Sequence, residues 1–461
     1  MPNQVDGSAV LYRNINIEPP TAVKGVGNWV YMSTGHKFFD ASCGAAVSCL
    51  GHGSIKRIED AMVDATRAVS YISGLDYITD PVKKLCKFLV DSTHGRMARA
   101  ALYSSGSEAI EAAMKIARQY VVMVDEPLRV NFIARRQSYH GATLGALGLS
   151  GHIGRRSFFE SLLNSASHVS PFNPYHGLSE NESISQYVQR LADELEAEFQ
   201  RLGPKTVIAF VAEPVVGAAQ GCVPGTKEYF QAMKRICDRH GALLIFDEVM
   251  CGMGRTGTLH AWEQMGVVPD IQTIGKGLGA GIMPAAGMLL SHRVTDVLAK
   301  NGGSFAHGHT YQNHAVTSAV ALEVQRIISD ENLLENVRTL GSLLKDLLKN
   351  QLEGHPNVGN IRGMGFFWGI EFVKDKATKE PFDTALNISW RLHEMAVAPP
   401  YQMYLYPGTG SYDGVKGDHV IVAPPYNISK DELLFMVDRI TKAIVAFFAQ
   451  PEIKPHLKSK L

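Results

Sequence analysis

KTVIAFVAEP, residues 205–214, is the first of three consecutive segments that decide the fold. TKEYFQAMKRICDRHG (226–241) and ALLIFDEV (242–249) follow it. The first and last segments are rich in apolar and β-branched residues and predict strands, whereas the middle segment repeats apolar side chains at the helical period. Thr226 is placed to cap the start of that helix and Gly241 to stop it. Strand, helix and strand in this order predict a βαβ unit.

The same alternation of strand-like and helical segments runs from about residue 98 to 320, which predicts an α/β domain with a mainly parallel sheet. Long helical patterns at about 314–350 then give way to shorter strand-like pieces and a final helical pattern at about 429–449. We predict three parts of the chain: an N-terminal segment that joins the small domain (1–60), a large domain (61–325) and a smaller α/β domain (326–461).

The composition is that of a globular protein, because 45% of the 461 residues are hydrophobic and 20% are charged. Lys+Arg and Asp+Glu both number 45, so no net charge favours a nucleic acid partner. No uninterrupted apolar stretch is long enough to span a bilayer. The six cysteines lack the spacing of a metal site. We therefore expect a small-molecule partner, with no nucleic acid, membrane or metal.

Polar and aromatic residues follow four of the predicted strands. They are Tyr139 and His140 in SYHGAT, Glu213 after TVIAFVA, Asp247 and Glu248 after ALLIF, and Lys276 after DIQTIG. Ligands of open parallel sheets bind beyond the carboxyl ends of the strands. The sequence therefore predicts that an aromatic pair, acids and an amine face one crevice.

Each of these residues also has an ordinary structural explanation. Asp247 can cap a helix or pair with an arginine, Tyr139 can pack in the core, and Lys276 can be a solvated surface lysine. A carboxylate beside a buried strand is costly unless a cation or hydrogen-bond donors meet it, and a protonated pyridine nitrogen would do so. Ser105 and Glu108 in YSSGSEAIEAAMKIARQY fit a capping box, and the helix N-terminus there is suited to phosphate, although most capping boxes bind nothing.

A pyridoxal phosphate (PLP) site requires all of these features at once, whereas the structural explanations are independent of one another. The lysine would form the Schiff base, the acid would face the ring nitrogen, the aromatic side chain would stack on the ring, and the helix N-terminus would bind the phosphate. The joint occurrence therefore favours PLP.

Seven motifs resemble, in their order, those of class III aminotransferases, which are PLP enzymes of fold type I. The motifs are SSGSEAIEAAMKIAR, SYHGAT, AEPV, LLIFDEVMCGMGRTG, TIGKGLGAG, HTYQNH and IRGMGFFWGIEF, and the resemblance covers about residues 25–445. It implies a large domain with a mainly parallel sheet and a smaller α/β domain. It also implies ping-pong transfer of an amino group from an amine or amino acid donor to a keto acid or aldehyde acceptor, by a homodimer with shared active sites.

The resemblance implies a role for individual residues as well. Lys276 is expected to be the Schiff-base lysine and proton shuttle, and Asp247 the partner of the pyridine nitrogen. Val249 and Tyr139 would pack on opposite faces of the ring, and the backbone of Gly106 and Ser107 would hold the phosphate. The other residues expected to bind the cofactor are Ser105, His140, Glu213 and, from the second subunit, Thr310.

The chain departs from the relatives that handle ornithine or 4-aminobutyrate at the positions that bind a carboxylate. Those relatives carry an arginine shortly before the APP motif, where an ungapped alignment places Ile421, and Gln and Glu where this chain has Val216 and Ala218. Lys416 and Arg362 are nearby cations, but Arg362 lies in a glycine-rich turn. These departures favour a donor that is an amine or has its carboxyl group remote or absent.

Alternative functions differ in how well they fit. GLGAG at 277–281 resembles a nicotinamide fingerprint, but it lies mid-domain without a following ribose acid. A binding module would not require both Lys276 and Asp247. A PLP-dependent aminomutase, racemase or decarboxylating transaminase of the same fold remains the alternative.

The chain ends in PEIKPHLKSKL, and Ser459, Lys460 and Leu461 match a peroxisomal import signal. We expect peroxisomal import if the source is eukaryotic. Otherwise the tail is an accidental basic end and the protein is expected in the cytoplasm.

Overall fold

The computed structural model describes residues 3–4 and 8–453. The elements of the first hundred residues are β1 (Asn3–Gln4), β2 (Ile17–Glu18), β3 (Ala22–Val26), β4 (Trp29–Met32), β5 (Lys37–Asp40), α1 (Cys43–Ala46), α2 (Lys56–Ala68), α3 (Asp80–Asp91) and β6 (Met97–Tyr103). The peroxisomal signal predicted at residues 459–461 lies outside the described residues and stays a prediction.

The middle of the chain alternates strands and helices. Its elements are α4 (Gly106–Met123), β7 (Asn131–Arg135), α5 (Leu144–Leu149), α6 (Ile153–Arg156), β8 (Ser167–Val169), α7 (Pro174–Gly177), α8 (Ile184–Leu202), β9 (Val207–Ala212), β10 (Val215–Val216), β11 (Val223–Pro224), α9 (Lys227–His240), β12 (Leu243–Asp247), α10 (Trp262–Met265), β13 (Ile271–Ile274), β14 (Ala286–Ser291), α11 (His292–Lys300) and α12 (Ala315–Asp330).

The last third mixes longer helices with short antiparallel strands. Its elements are α13 (Leu333–Leu352), β15 (Val358–Met364), β16 (Phe367–Phe372), α14 (Ile388–Val397), β17 (Met403–Tyr404), β18 (Tyr406–Thr409), β19 (Asp418–Val422) and α15 (Lys430–Phe448). Short 3-10 turns lie at Glu160–Leu162, Pro204–Thr206, Lys276–Leu278 and Thr384–Leu386.

A mainly parallel sheet forms the centre of the molecule, with the strand order β6-β14-β13-β12-β9-β7-β8. The pairs β13–β12, β12–β9, β9–β7 and β7–β8 are parallel, and β14 is antiparallel to both of its neighbours. Strands β9 and β12 are buried along their whole length, as expected for a sheet with both faces covered. The predicted α/β architecture is therefore confirmed.

The βαβ unit predicted from the sequence is present as β9, α9 and β12. Thr226 caps α9, because its side chain accepts a hydrogen bond from the N–H of Tyr229, and Gly241 ends the helix in the left-handed conformation. The two strands pair in parallel, with Leu243 opposite Ala209. This unit carries Glu213 and Asp247 to the same edge of the sheet.

A smaller antiparallel sheet, in the order β15-β16-β19-β18, packs with α13, α14 and α15. The N-terminal strands form another sheet, β17-β5-β4-β3, in which β5 pairs with β17 of the small domain. Asn28 donates a hydrogen bond to Glu432 of α15 at 3.1 Å. The N-terminal strands thus contact the small domain, while the domain boundaries at residues 60 and 325 stay a prediction. No helix in the described ranges is long and apolar enough to cross a membrane.

Candidate active site

A cavity of about 480 Å³ opens at the carboxyl ends of the central parallel strands. Its lining includes nine of the ten residues that the sequence predicted for the site: Ser105, Gly106, Ser107, Tyr139, His140, Glu213, Asp247, Val249 and Lys276. The tenth, Thr310, instead lines a surface depression with Tyr71 and Gly74. The residues converge because parallel strands end at the same edge of a sheet.

Lys276 lies two residues after the end of β13. Its backbone is in the left-handed region, with φ of 45°. This conformation is uncommon for a residue other than glycine and is found at functional sites. The Lys276 Nζ donates a hydrogen bond to the Ala45 carbonyl at 3.0 Å. Part of the Lys276 side chain faces the cavity. The surrounding protein nevertheless desolvates the ammonium and lowers the pKa of Lys276 to about 8, although the negative charge of Asp247 acts to raise it. Lys276 is therefore a cavity lysine with a lowered pKa rather than a solvated surface lysine.

Asp247, at the end of β12, is only 4% exposed, and its carboxylate is held on both oxygens. The His140 Nδ1 lies 2.8 Å from Oδ2, and Oδ1 accepts hydrogen bonds from the N–H of Val249 at 3.1 Å and the hydroxyl of Thr273 at 3.3 Å. The other ring nitrogen of His140, Nε2, is buried without a hydrogen-bond partner in the described part of the chain. His140 was expected among the cofactor-binding residues, and the contact it makes supports a role in orienting Asp247.

The neighbouring acid, Glu248, points to a different place. Its carboxylate accepts hydrogen bonds from the N–H groups of Ala261 and Trp262, both at 2.7 Å, and from the Gln272 amide at 2.9 Å. Complete burial raises the pKa of Glu248 to about 8. Glu248 therefore stabilises the loop after β12, and of these two acids only Asp247 lines the cavity.

Glu213, directly after β9, supports the loop that carries Tyr139. Its carboxylate accepts hydrogen bonds from the N–H of Tyr139 at 3.1 Å and of Gly217 at 3.0 Å. Burial raises the pKa of Glu213 above its usual range. The contacts hold two backbone segments at the cavity wall.

The N-terminus of α4 forms another part of the wall. The capping box predicted at Ser105 and Glu108 is confirmed, since each side chain binds the backbone N–H of the other residue. A Cβ atom on Gly106 would lie 2.7 Å from the Val249 Cγ1, so only glycine fits there. Free N–H groups of a first helical turn and the helix dipole attract anions. This wall of the cavity is therefore suited to a phosphate.

Sequence reasoning missed several polar residues of the cavity, among them Arg155 and Tyr406. The Arg155 guanidinium lies 4.1 Å from the centroid of the Tyr139 ring, and its Nη2 donates to the Tyr406 hydroxyl at 3.3 Å. The next residue, Arg156, is buried and pairs at 2.8 Å with Glu160, four residues further along the chain. That spacing is a local signal for the ion pair of Arg156. Only the three-dimensional arrangement shows that Arg155 reaches the cavity.

The positions at which the sequence departs from its relatives do not supply a cation to the cavity. Ile421 is buried in β19 outside the lining, and Val216 is buried, whereas Ala218 lines the cavity. Arg362 lies in strand β15 rather than in a turn, and its side chain pairs with Glu371 and donates to the Gly221 carbonyl at 3.0 Å. Lys416 is exposed and lies outside the lining.

The family model described as Aminotransferase class-III matches residues 13–444. The chain belongs to the class III aminotransferase family. An aminotransferase of Gibberella zeae is 50% identical over 94% of this chain and 86% of its own length. An aminotransferase of Schizosaccharomyces pombe is 42% identical over 95% of both chains. The solved structure of an ω-transaminase from Pseudomonas jessenii in complex with PMP superposes with a TM-score of 0.89 at 28% identity, covering 97% of this chain and 98% of that one.

This class III aminotransferase is a PLP-dependent transferase of fold type I, as the sequence predicted. The named relatives are aminotransferases rather than dehydrogenases, aminomutases or racemases. The predictions of the family, the enzyme class and the cofactor are thereby confirmed.

The cavity residues of the aminotransferase fit PLP in charge and in shape. Asp247 is a buried carboxylate held by the His140 ring and by the donors of Val249 and Thr273, and such an oriented carboxylate suits a pyridinium nitrogen. The Nε2 of His140, which has no hydrogen-bond partner among the described residues, adds a hydrogen-bonding group. Gly106 leaves the approach to the helix N-terminus free of a side chain, which suits a phosphate.

Proposed function

We propose that this class III aminotransferase moves an amino group from an amine-bearing donor to a keto acid at the cavity of Lys276 and Asp247. The observation that carries the proposal is a lysine of lowered pKa that faces the same cavity as a buried, oriented carboxylate and a helix N-terminus. Binding alone would not require an amine of this kind beside such a carboxylate.

Different residues of the cavity would bind different parts of the cofactor. The first turn of α4, with Gly106 and Ser107, would hold the phosphate, and Asp247 would pair with the pyridinium nitrogen. Tyr139 and Val249 would enclose the ring. Ser107 also fixes the wall, because its hydroxyl accepts a hydrogen bond from the N–H of Ala142 at 2.9 Å.

PLP supplies an electron sink for the electron pair that a substrate carbon keeps when it loses a proton. In our proposal the Lys276 Nζ removes that proton and holds it until it is returned, a role that requires a neutral amine near physiological pH. A pKa of about 8 leaves a usable neutral fraction at pH 7 to 8, whereas an ordinary lysine would be almost fully protonated. His140 and Thr273 keep Asp247 in the orientation in which its charge stabilises a protonated ring nitrogen.

The test of this proposal uses the purified holoenzyme and separates the two half-reactions. Adding an amino donor alone is expected to convert the visible cofactor band to that of the amine form, and adding a keto acid is expected to restore it. Steady-state kinetics with both substrates are then expected to be ping-pong. If no donor ever converts the cofactor, an aminomutase or racemase becomes the better interpretation.

We also propose a homodimer whose active sites are shared through Thr310. Thr310 borders a surface depression together with Tyr71, and apolar side chains stand exposed nearby in sequence, including Leu75 at 86% and Tyr77 at 64% exposure. Exposed apolar side chains grouped in one segment are typical of an interface. A second subunit would cover them and bring Thr310 to the phosphate end of its partner's cavity.

Light scattering tests the dimer, and complementation tests the sharing. Lys276→Ala and Thr310→Glu are each expected to inactivate the homodimer, the second because a carboxylate would repel the phosphate. A heterodimer of the two variants recovers one intact site only if Lys276 and Thr310 of one site come from different subunits. An inactive heterodimer would contradict the shared site.

Localisation is a separate proposal, which depends on Leu461 being the last residue of a eukaryotic protein. We propose peroxisomal import through Ser459–Leu461, and the fungal origin of the two relatives supports a eukaryotic context. A fluorescent protein carrying residues 451–461 is expected to colocalise with a peroxisomal marker and to disperse when Leu461 is removed. A diffuse signal from the intact tail would favour the cytoplasm.

A further inference from the structure

Arg155 is a cation of the cavity without an acidic partner. It is half-buried, lines the same cavity as Lys276, and forms no ion pair with any carboxylate of residues 3–4 or 8–453. Its polar contact is the neutral hydroxyl of Tyr406, and its flat face lies over Tyr139. A guanidinium has five N–H donors, and these contacts leave most of them available.

The acids of the cavity are already engaged elsewhere. Asp247 is held by His140, Val249 and Thr273, and Glu213 is held by two backbone N–H groups. Neither acid forms an ion pair with Arg155. An anion that neutralises Arg155 must therefore come from outside the described chain.

The surroundings of Arg155 are those of a held, directional cation. The Tyr139 ring supports the guanidinium face through a cation–π contact, which leaves the N–H edge free for a planar acceptor. Tyr406 accepts a hydrogen bond from Arg155, so its own O–H proton is free to donate to the same acceptor. A carboxylate, with two coplanar oxygens, matches this arrangement better than a neutral amide.

The charge of Arg155 also acts on the reacting amine. It is one of the charges that lower the pKa of Lys276, after the dominant effect of burial. Arg155 and Lys276 are therefore close enough for their charges to interact, and an anion bound at Arg155 would lie near the reacting amine.

We propose that Arg155, assisted by Tyr406, binds the carboxylate of the amino substrate and makes the enzyme prefer amino acids over neutral amines. The role that relatives assign to an arginine before the APP motif, where this chain has Ile421, would thus be met from α6 on another wall of the cavity. This inference rests on the proposed aminotransferase function, and it names a substrate class for it.

The experiment compares matched pairs of donors in the donor half-reaction of the holoenzyme. The pairs are alanine with alaninamide, β-alanine with β-alaninamide, and 4-aminobutyrate with 4-aminobutanamide. Loss of a charge-assisted hydrogen bond predicts that Arg155→Met lowers kcat/KM for the preferred acid about 10- to 100-fold and for its amide less than about 3-fold. The acid with the largest loss tells whether the bound carboxylate is adjacent to the amine or remote from it.

Three variants sharpen the result. Arg155→Lys keeps the charge and is expected to retain part of the preference, and Tyr406→Phe is expected to lose less than Arg155→Met because the guanidinium remains. Lys416→Met removes an exposed cation outside the cavity and is expected to change neither donor. An unaltered visible spectrum in the Arg155 variants shows that the cofactor is still bound.

A binding measurement separates this inference from the proposed function. Calorimetric titration of butyrate, an unreactive carboxylate, into the holoenzyme is expected to show binding that Arg155→Met weakens about 10-fold or more. If no donor is converted but butyrate binding depends on Arg155, the proposed function fails and the carboxylate site stands. If Arg155→Met lowers kcat/KM equally for the acid and its amide, or changes neither, Arg155 does not bind the substrate carboxylate.

Discussion

Two groups of charged residues in the described part of the chain, one around Arg362 and one in the cavity, differ in how completely they are paired. The Arg362 cluster consists of Arg362, Glu371 and His176, in which Glu371 binds both partners, His176 at 2.6 Å. Arginine lowers the pKa of Glu371 to about 2 against the opposing effect of its burial. In the cavity, by contrast, Arg155 forms no ion pair with a carboxylate of the described residues, and the hydrogen bond of the Lys276 Nζ there goes to the carbonyl of Ala45.

The completeness of pairing separates structural charges from functional ones. A buried ion is costly unless its partners are in place, so a complete cluster stabilises the fold that contains it. In a cavity whose charged groups lack partners, the free-energy cost of burying them remains until a ligand supplies those partners. Such unpaired charges are a feature of functional sites.

Removing the cavity amine tests its chemistry. Lys276→Ala is expected to lower the turnover number for amino transfer by roughly 10⁴-fold or more, because both the nucleophile and the proton carrier are lost. Steady-state kinetics with added PLP measure the effect, and Lys416→Ala serves as the control. Borohydride treatment of wild-type holoenzyme, followed by peptide mapping, is expected to label Lys276. A label on a different lysine would overturn the assignment.

Removing the cation of the Arg362 cluster tests its structural role. Arg362→Met is expected to lower the free energy of unfolding by about 3 to 5 kcal/mol, because it leaves the Glu371 carboxylate buried without its main partner. Denaturant titration measures the loss. The double variant with Glu371→Met is expected to recover part of it. A loss below about 1 kcal/mol in the single variant would show that water replaces the guanidinium.

Neutralising the cavity acid tests whether its charge, rather than its shape, is needed. Asp247→Asn is expected to fold and bind PLP but to lower turnover about 10²- to 10³-fold, since an amide does not hold a proton on the ring nitrogen. Absorption spectra establish cofactor content, and single-turnover kinetics with a donor measure the rate. Near-normal turnover in a fully loaded variant would refute this role.

The cost of the unpaired amine is accessible in the cofactor-free chain. Lys276→Met is expected to raise its free energy of unfolding by about 1 to 3 kcal/mol at pH 7, because the pKa of Lys276 falls from 10.5 to about 8 on folding and water in the cavity screens part of the cost.

The dependence on pH gives the sign of that effect. Below pH 8 the folded chain pays the full cost of a buried ammonium, and between pH 8 and 10.5 the unfolded chain binds more protons, so wild-type stability rises. The advantage of Lys276→Met should therefore shrink across this window in denaturant titrations. An advantage that is independent of pH would point to packing instead.

Local patterns in the sequence are sufficient to predict many of the helices and strands and the residues at their ends. The βαβ unit with its Thr226 cap and Gly241 stop, and the capping box at Ser105, are local patterns, and local patterns depend on neighbouring residues alone. The convergence of Asp247 and Lys276 also followed, because the carboxyl ends of parallel strands meet at one edge whatever the details of packing.

Which polar groups find hydrogen-bond partners depends instead on the folded structure. Asp247 and Glu248 are adjacent in sequence, yet one faces the cavity and the other caps a loop, because alternate residues of a strand end point to opposite sides. Arg155 and Arg156 are likewise adjacent, and Arg156 pairs with Glu160, whereas Arg155 contacts Tyr406 across the cavity. Most partners of Asp247 and Glu248 lie on other elements, so hydrogen bonding and burial, which set the cost of each charge, are properties of the folded chain rather than of its local sequence.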